Sequence, residues 1–133
     1  MSGVTVEEVE AEALIDLRHR VLRAGRPRET AHMPGDDAPT SRHFRLVVED
    51  RTVAIASVMA EPFPGPPGGE APADGPTQRL RGMAVDPDVQ GQGLGAQLLR
   101  AVQERYPALW CNARVHAARF YARQGWTQVG EAF

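Results

Sequence analysis

Apolar residues recur along the first half of the chain with two different periods. Between Glu7 and Arg23 they recur roughly every 3.6 residues, at positions 13, 14, 17 and 21, and the opposite face is charged. Between His43 and Glu49 they alternate, and Val53–Ala60 is small and β-branched. The pattern predicts a short strand over 4–6, a helix over 7–23, and an antiparallel hairpin that turns at Asp50-Arg51.

The second half of the chain alternates strand and helix patterns. A glycine inside the first of these strands, Gly82, predicts a β-bulge or a close backbone approach. Gly125 is expected to close the last helix as its C-cap. The predicted elements are a strand over Leu80–Val85, a helix to about Arg105 with Leu94, Leu98, Ala101 and Val102 buried, a strand over Leu109–Asn112, a helix over Val115–Gln124 and a last strand over Trp126–Phe133.

Two polar segments separate these patterns. Residues 26–41 are broken by Pro and Gly and predict a loop, or a loop with one short helix, of the kind that often contacts substrate. Its Asp36-Asp37 pair could bind a metal or a substrate, although two loop carboxylates are usually solvated. Ten of the fifteen residues from Pro62 to Pro76 are Pro or Gly, which predicts an exposed connection rather than a domain boundary.

Composition narrows the class of protein. A chain of 133 residues fits one domain, residues 1–133, around a single core. A net charge of -2 gives no basic footprint for nucleic acid, and the single cysteine, Cys111, excludes a disulfide framework and is expected to be buried and inert. The acidic start of the chain and the absence of a long apolar run predict no signal peptide and no membrane span. We therefore expect a cytoplasmic enzyme or binding domain.

The most informative segment is Gln90-Gly91-Gln92-Gly93-Leu94-Gly95, which lies between a predicted strand and a predicted helix. The first backbone N–H groups of a helix have no intrahelical partner, and the helix dipole adds positive charge there. Three glycines allow the backbone to curl closely and remove side chains that would block a ligand. The segment therefore predicts a site for a phosphate or another anion.

Several phosphate ligands have to be distinguished. A P-loop would end in Gly-Lys-Ser/Thr, whereas this loop ends in Gly95-Ala96-Gln97. A dinucleotide fold tolerates Ala96 as the third glycine, but it also needs an acidic residue at the end of the next strand, where Asn112 stands. A nucleotide-binding domain and a turn that only connects two elements both remain open on the loop alone.

Two motifs together resemble the GNAT superfamily of acetyl-CoA-dependent N-acetyltransferases. Gln90-x-x-Gly93-x-Gly95 is similar to its Arg/Gln-x-x-Gly-x-Gly/Ala signature, and residues 117–126, AARFYARQGW, are similar to its second motif, Ala-x-x-Phe/Leu-Tyr-x-x-x-Gly-Phe. The resemblance implies an α/β (α+β) fold with a mixed, mostly antiparallel central sheet, a splayed pair of strands and flanking helices. The family ends with two strands where this chain has one, so we expect the final strand to be missing and an open edge that favours a homodimer.

The resemblance also implies a ligand and a reaction. Acetyl-CoA would insert its pantetheine between the splayed strands, against backbone at Met83, Ala84 and Val85, and transfer acetyl directly to a primary amine of a small molecule or peptide. Arg114, where relatives often carry Asn, could reach a CoA phosphate or an acidic substrate, or it could be a surface residue at the start of a helix. The pyrophosphate would lie on the amides of Gln90, Gly91, Gln92, Gly93, Leu94, Gly95 and Ala96.

Tyr121 matches the tyrosine that the family uses to protonate the leaving thiolate, and its ordinary pKa near 10 suits a donor at neutral pH. Relatives often place a base, Glu, where this chain has Arg81, so Glu61, His43 and His116 are the substitutes. Arg81 could instead pair with an acidic substrate group or a protein carboxylate. The proposed reaction needs no metal. The rival hypothesis from another class is a catalytically silent acyl-CoA-binding sensor.

Overall fold

The computed structural model describes residues 3–130, which form a five-stranded sheet whose strand order follows the chain. Neighbouring strands are antiparallel except for the last pair, which is parallel. This mixed, mostly antiparallel sheet is the predicted one. Its strands are β1 (Val4–Val9), β2 (Arg42–Val48), β3 (Arg51–Ala60), β4 (Gln78–Val85) and β5 (Leu109–Trp110).

Helices cover both faces of the sheet. The helices are α1 (Ile15–Leu22), α2 (Leu94–Arg105) and α3 (Val115–Arg123), with short 3-10 turns over Ala11–Leu14, Arg28–Ala31 and Pro87–Val89. On one face, Leu98, Leu99 and Val102 of α2 pack on apolar residues of β2, β3 and β4. On the other face, Leu17 of α1 packs on Ile55 and Ala84. The predicted stripe of α2 is confirmed at Leu98 and Val102, whereas Leu94 and Ala101 are half-buried and Leu99 is buried instead.

The predicted first helix starts too early. Residues through Val9 belong to β1, which pairs with β2 from Val4↔Val48 to Val9↔His43, and the α-helix begins only at Ile15. Pairing with β2 satisfies the backbone of this segment, so tertiary contacts outweigh the helical spacing. The hairpin between β2 and β3 is confirmed, but its turn is Glu49-Asp50, both with positive φ (51° and 64°), so Arg51 already belongs to β3.

The predicted irregularity at Gly82 is confirmed. Ile55 pairs with Ala84 but Ser57 pairs with Arg81, so β4 carries one extra residue in this stretch, a β-bulge. Gly82 has a φ of 62°, and a Cβ there would lie 3.4 Å from Arg18 Nε and 3.3 Å from Met33 Cε. The bulge therefore places β4 directly against α1 and the loop over 26–41.

Beyond α2 the chain is less regular than predicted. The strand expected over Leu109–Asn112 has two residues, and residues 126–130 form no strand, so the expected last strand is wrong there; its remainder lies outside the described residues. The predicted glycine stop of α3 lies one residue beyond the cap: Gln124 is the C-cap residue, and Gly125 follows it with a φ of 88°. The loops over 26–41, with one short 3-10 turn, and over 62–76 are confirmed.

No helix within residues 3–130 combines the length and the apolar character needed to cross a membrane. In the same part of the chain, no three His, Cys, Asp or Glu side chains are grouped so that they could hold a metal ion.

Candidate functional site

A gap opens between the two parallel strands. β4 and β5 pair only at Gln78↔Leu109 and Arg79↔Trp110, and β4 continues to Val85 without a partner on that side in the described chain. The N–H of Asp86 donates to the carbonyl of Val53 in β3 (2.8 Å), so by strand alternation the backbone groups of Val85 point into the gap. The gap is the splayed pair of strands that was predicted.

The closed end of the gap is held by side chains. Arg79 donates from Nη1 to both carboxylate oxygens of Glu61 (3.1 Å each), and its guanidinium lies 4.9 Å from the centre of the Trp110 ring. Trp110 Nε1 donates to the carbonyl of Glu61 (2.7 Å). These contacts fasten the start of β4 to β5 and to the end of β3.

The glycine-rich loop lies at the open end of the gap. Gly91 and Gly93 have φ of 83° and 77°, and a Cβ on either would meet no protein atom within 4 Å. α2 begins after Gly93 without a side-chain cap, and Gln97 is the first residue whose amide bonds back into the helix, to Gly93 O at 3.0 Å. Within residues 3–130 the six amides from Gly91 to Ala96 donate no hydrogen bond. They are unpaired donors at the positive end of a helix.

Gly95 fixes the position of this loop. It is buried, and a Cβ there would lie 3.0 Å from Cγ2 of Val85 and 3.6 Å from Cε1 of Phe120. The absence of a side chain therefore lets the start of α2 approach both β4 and α3. Gln90 adds a further link, because its Nε2 donates to the carbonyl of Val85 (3.3 Å). The free amides are thus held beside the end of the gap.

The other predicted ligand contacts on β4 divide between the two faces of the sheet. Met83 and Val85 pack on the α2 side, where their backbone borders the gap. Ala84 is buried in the core beneath α1 and pairs with Ile55 of β3, so its side chain is directed away from the α2 face. Arg114 is the exposed N-cap residue of α3. Gln92, on the glycine-rich loop, is exposed.

Tyr121 lies on α3 against the end of β5. Its ring is 5.0 Å from that of Trp126 and 5.2 Å from that of Phe120, and it is half-buried. Burial raises the pKa of Tyr121 well above its ordinary value, and the neighbouring Cys111 thiol raises it further. The phenol therefore keeps its proton at neutral pH.

Cys111 and Tyr121 border a cavity of about 880 Å³. The cavity is lined by the proline-rich loop over 62–76, by β5 and by α3, and its walls include Phe63, Trp110 and Trp126. Cys111 is half-buried rather than fully buried as expected, and burial raises the pKa of its thiol. The thiol is therefore a poor nucleophile at neutral pH, in keeping with the inert role that was predicted.

The three candidate bases differ sharply in position. His43 is 4% exposed, and its ring nitrogens contact Ser57 Oγ (2.7 Å) and the carbonyl of Asp36 (2.9 Å), so it has no free nitrogen to offer an acceptor. His116 is exposed on α3. Glu61 lies at the closed end of the gap with its side chain 45% exposed. Of the three, Glu61 has the most suitable position.

A buried ion pair beneath the sheet was not expected from the sequence. Arg18 is fully buried and donates to both carboxylate oxygens of Asp36 (2.7 and 3.0 Å) and to Ser57 Oγ (2.9 Å). The expectation of a solvated Asp36-Asp37 pair is therefore wrong for Asp36, which is 7% exposed, and right for Asp37, which is exposed. The only hint in the sequence was an arginine among the apolar positions of the first helix.

Comparison with known proteins identifies this architecture. A family model described as an acetyltransferase (GNAT) domain matches residues 40–128. The chain belongs to the GNAT acetyltransferase family. It is 32% identical over 133 residues to YitI, an uncharacterized N-acetyltransferase of Bacillus subtilis (strain 168), an alignment that covers 96% of this chain and 85% of YitI.

Solved GNAT structures share the fold at lower identity. The aminoglycoside N-acetyltransferase AAC(6')-Iy in complex with CoA superposes with a TM-score of 0.75 at 14% identity, covering 100% of this chain and 93% of that one. A predicted acetyltransferase from Clostridium acetobutylicum with acetyl-CoA gives 0.64 at 12% identity, covering 98% and 94%. Membership of the GNAT family confirms the resemblance and the fold. It also favours an enzyme over a silent sensor or a nucleotide-binding domain.

Proposed function

We propose that this GNAT protein transfers the acetyl group of acetyl-CoA to a primary amine of a small molecule or peptide. The observation that carries the proposal is the row of six amides from Gly91 to Ala96, which have no partner within residues 3–130 and lie at the open end of the gap between β4 and β5. Two GNAT neighbours with the same fold bind CoA or acetyl-CoA. The expected cytoplasmic location and homodimer stay predictions.

The fit to acetyl-CoA follows from the chemistry of the two ends of the gap. A pyrophosphate is an anion that needs several convergent donors, and the amides of Gly91–Ala96 supply them at the positive end of α2. Pantetheine carries amides that pair with a free strand edge, and β4 offers one from Leu80 to Val85. A ligand held at both places has its thioester directed toward the closed end of the gap.

At that end we assign the acid to Tyr121. Acetyl transfer forms a bond from the amine nitrogen to the acetyl carbon and breaks the bond from that carbon to sulfur, so the amine loses a proton and the sulfur gains one. The protonated phenol of Tyr121 donates to the sulfur, and its raised pKa keeps it protonated. Glu61 is our candidate to receive the amine proton, directly or through water, because it is partly exposed at the closed end of the gap.

Calorimetric titration tests the cofactor. We expect acetyl-CoA and free CoA to bind with a Kd in the micromolar range, about -8 kcal/mol, and NAD to give no heat. Binding followed by turnover of any amine in a screen supports the full proposal. A folded sample that gives no heat with either CoA species contradicts it.

An alanine at position 93 tests the loop itself. Gly93 has a φ of 77°, and a side chain in that region costs about 1–2 kcal/mol. The strained loop turns its amides away from the ligand, so we expect Gly93→Ala to weaken acetyl-CoA binding about tenfold, or ~1.4 kcal/mol.

Gly25→Ala is the matched control for Gly93→Ala. Gly25 has a φ of 80°, and a Cβ there also meets no atom within 4 Å, but it lies after α1 and away from the loop. It should lower the free energy of unfolding by a similar amount and leave the Kd for acetyl-CoA unchanged. Equal losses of affinity in the two variants would remove the loop from the binding site.

A further inference from the structure

We propose that Arg81 binds an anionic group of the acceptor, so that the preferred acceptor is a small amine that also carries a carboxylate or a phosphate. The inference rests on the proposed function and adds the substrate class. It comes from a cation at the place where β4 and β5 separate, for which the described part of the chain supplies no partner.

The position of Arg81 follows from the register of the sheet. Arg81 pairs with Ser57, whose side chain contacts Arg18 and His43 on the α1 side, so Arg81 lies on that side too. It is two residues beyond Arg79, the last β4 residue that pairs with β5. Arg81 is therefore next to the closed end of the gap, on the face opposite the one covered by α2.

The carboxylates around Arg81 already have partners. Asp36 is held by two hydrogen bonds from Arg18, and Glu61 by two from Arg79. Within residues 3–130, Arg81 makes neither an ion pair nor a hydrogen bond through its guanidinium. The first β4 side chain beyond the closed end of the gap on this face is thus a cation without a partner within residues 3–130.

The charged groups around Arg81 do not balance one another. Burial lowers the pKa of Arg81, and the nearby Arg79 lowers it further, although an arginine stays charged at neutral pH. Arg18, Arg79 and Arg81 share this face with Asp36 and Glu61, which leaves one positive charge uncompensated. An acceptor with only an ammonium group would meet repulsion here, whereas a carboxylate or phosphate would supply the missing partner.

Guanidinium geometry also selects the kind of anion. Its planar fork of N–H donors binds a carboxylate or a phosphate through two parallel hydrogen bonds, and it does so better where water is partly excluded. Arg81 is half-buried, which meets that condition. An anion fixed there would orient the acceptor, so its amine lies at a set distance from the thioester.

The test compares matched pairs of amines with saturating acetyl-CoA. Each pair differs in one anionic group: amino acids against their carboxamides for the carboxylate, and phosphoethanolamine against ethanolamine for the phosphate. We expect kcat/KM to be higher for the anionic member of a pair by about tenfold or more. The pair with the larger preference identifies whether Arg81 binds a carboxylate or a phosphate. In Arg81→Gln the preference should disappear, mainly through a higher KM, and in Arg81→Lys part of it should remain.

Arg100→Gln is the control for net charge, because Arg100 is exposed on α2, and it should keep the preference.

A second measurement does not depend on the choice of amine. With CoA saturating the glycine-rich loop, phosphate and glutarate should raise the Tm of the wild-type protein and of Arg100→Gln, but not that of Arg81→Gln.

Two outcomes overturn the inference while leaving the proposed function intact. One is equal kcat/KM for neutral and anionic amines in the wild-type protein, and the other is an anion preference or an anion-induced Tm shift that survives in Arg81→Gln. Failure of the proposed function has a different signature, since the protein would then bind neither acetyl-CoA nor CoA in the calorimeter.

Discussion

Replacing Asp36 by alanine should lower the free energy of unfolding by about 3–5 kcal/mol. The substitution leaves the guanidinium of Arg18, which is fully buried, without the carboxylate that accepts two of its hydrogen bonds. Asp36 also accepts from the amide of Met33 (2.9 Å), so the loop over 26–41 loses its anchor to α1. Because the whole stability of a domain of this size is about 5–15 kcal/mol, the loss should be visible in a urea titration.

Controls separate the ion pair from the loss of any loop carboxylate. Asp37→Ala removes the exposed neighbour and should change stability by less than about 0.5 kcal/mol. Arg18→Met should also be costly, since it leaves a buried carboxylate, but Arg18→Met combined with Asp36→Ala should cost less than the sum of the two. Additive costs in this cycle would show that Arg18 and Asp36 do not stabilise each other.

The ion pair between Arg18 and Asp36 also predicts how the free energy of unfolding changes at low pH. Burial alone would raise the pKa of Asp36, but the hydrogen bonds from Arg18 and Met33 bring it below the ordinary value of 3.8. The unfolded chain therefore binds a proton at a higher pH than the folded one, and the contribution of Asp36 is present above about pH 4 and lost as the pH falls further. Urea titrations at about pH 7 and pH 3 should show a smaller loss in Asp36→Ala than in the wild-type protein.

The sequence is most informative where local chemistry requires a particular residue. Gly91 and Gly93 have positive φ, Gly95 permits a close helix approach, and Gly82 forms the bulge, so the glycines alone predict each of these features. β4 and α2 are predicted from the apolar patterns on either side of these glycines. The family resemblance additionally predicts the splayed strands. These strands separate because only two residues of β5 pair with β4.

The features that the sequence did not predict depend on distant contacts. β1 runs through Val9 because β2 is there to pair with it, and nothing within residues 4–9 encodes that partner. Asp36 is buried because Arg18, eighteen positions earlier, reaches it beneath the sheet. A short-range pattern contains neither of these distant contacts, so it predicts helix for the second half of β1 and a solvated carboxylate at Asp36.

Tyr121 and Arg81 show what placement adds to a motif. The family resemblance points to Tyr121 in the second motif and to Arg81 in place of the usual Glu, and the fold puts the two residues on opposite faces of the strands that border the gap. In our proposal, Tyr121 acts as an acid on the α3 side and Arg81 as a cation on the α1 side, and the thioester and the amine meet in the gap between them. The arrangement gives each residue a separate, separately testable effect, on kcat for Tyr121 and on KM for Arg81.

Replacing Tyr121 by phenylalanine should lower kcat by about 100-fold or more, which corresponds to about 2.7 kcal/mol or more in the barrier. The variant keeps the ring that packs on Trp126 and Phe120 and removes only the hydroxyl. Affinity for acetyl-CoA should therefore stay within about twofold, since the binding loop and the strand edge are unchanged. Stopped assays of acetylated amine and calorimetry on the same sample measure the two quantities.

The matched control is Tyr106→Phe, which deletes the same atom from the other tyrosine of the chain. Tyr106 follows α2 and packs edge-on against Phe44, with ring centres 6.4 Å apart, so its hydroxyl should not affect turnover. Because burial raises the pKa of Tyr121, ionisation of this phenol should cause no loss of wild-type kcat up to about pH 10. If Tyr121→Phe keeps more than about a third of wild-type kcat, the leaving sulfur takes its proton from solvent, and the role of Tyr121 is to pack α3 against β5.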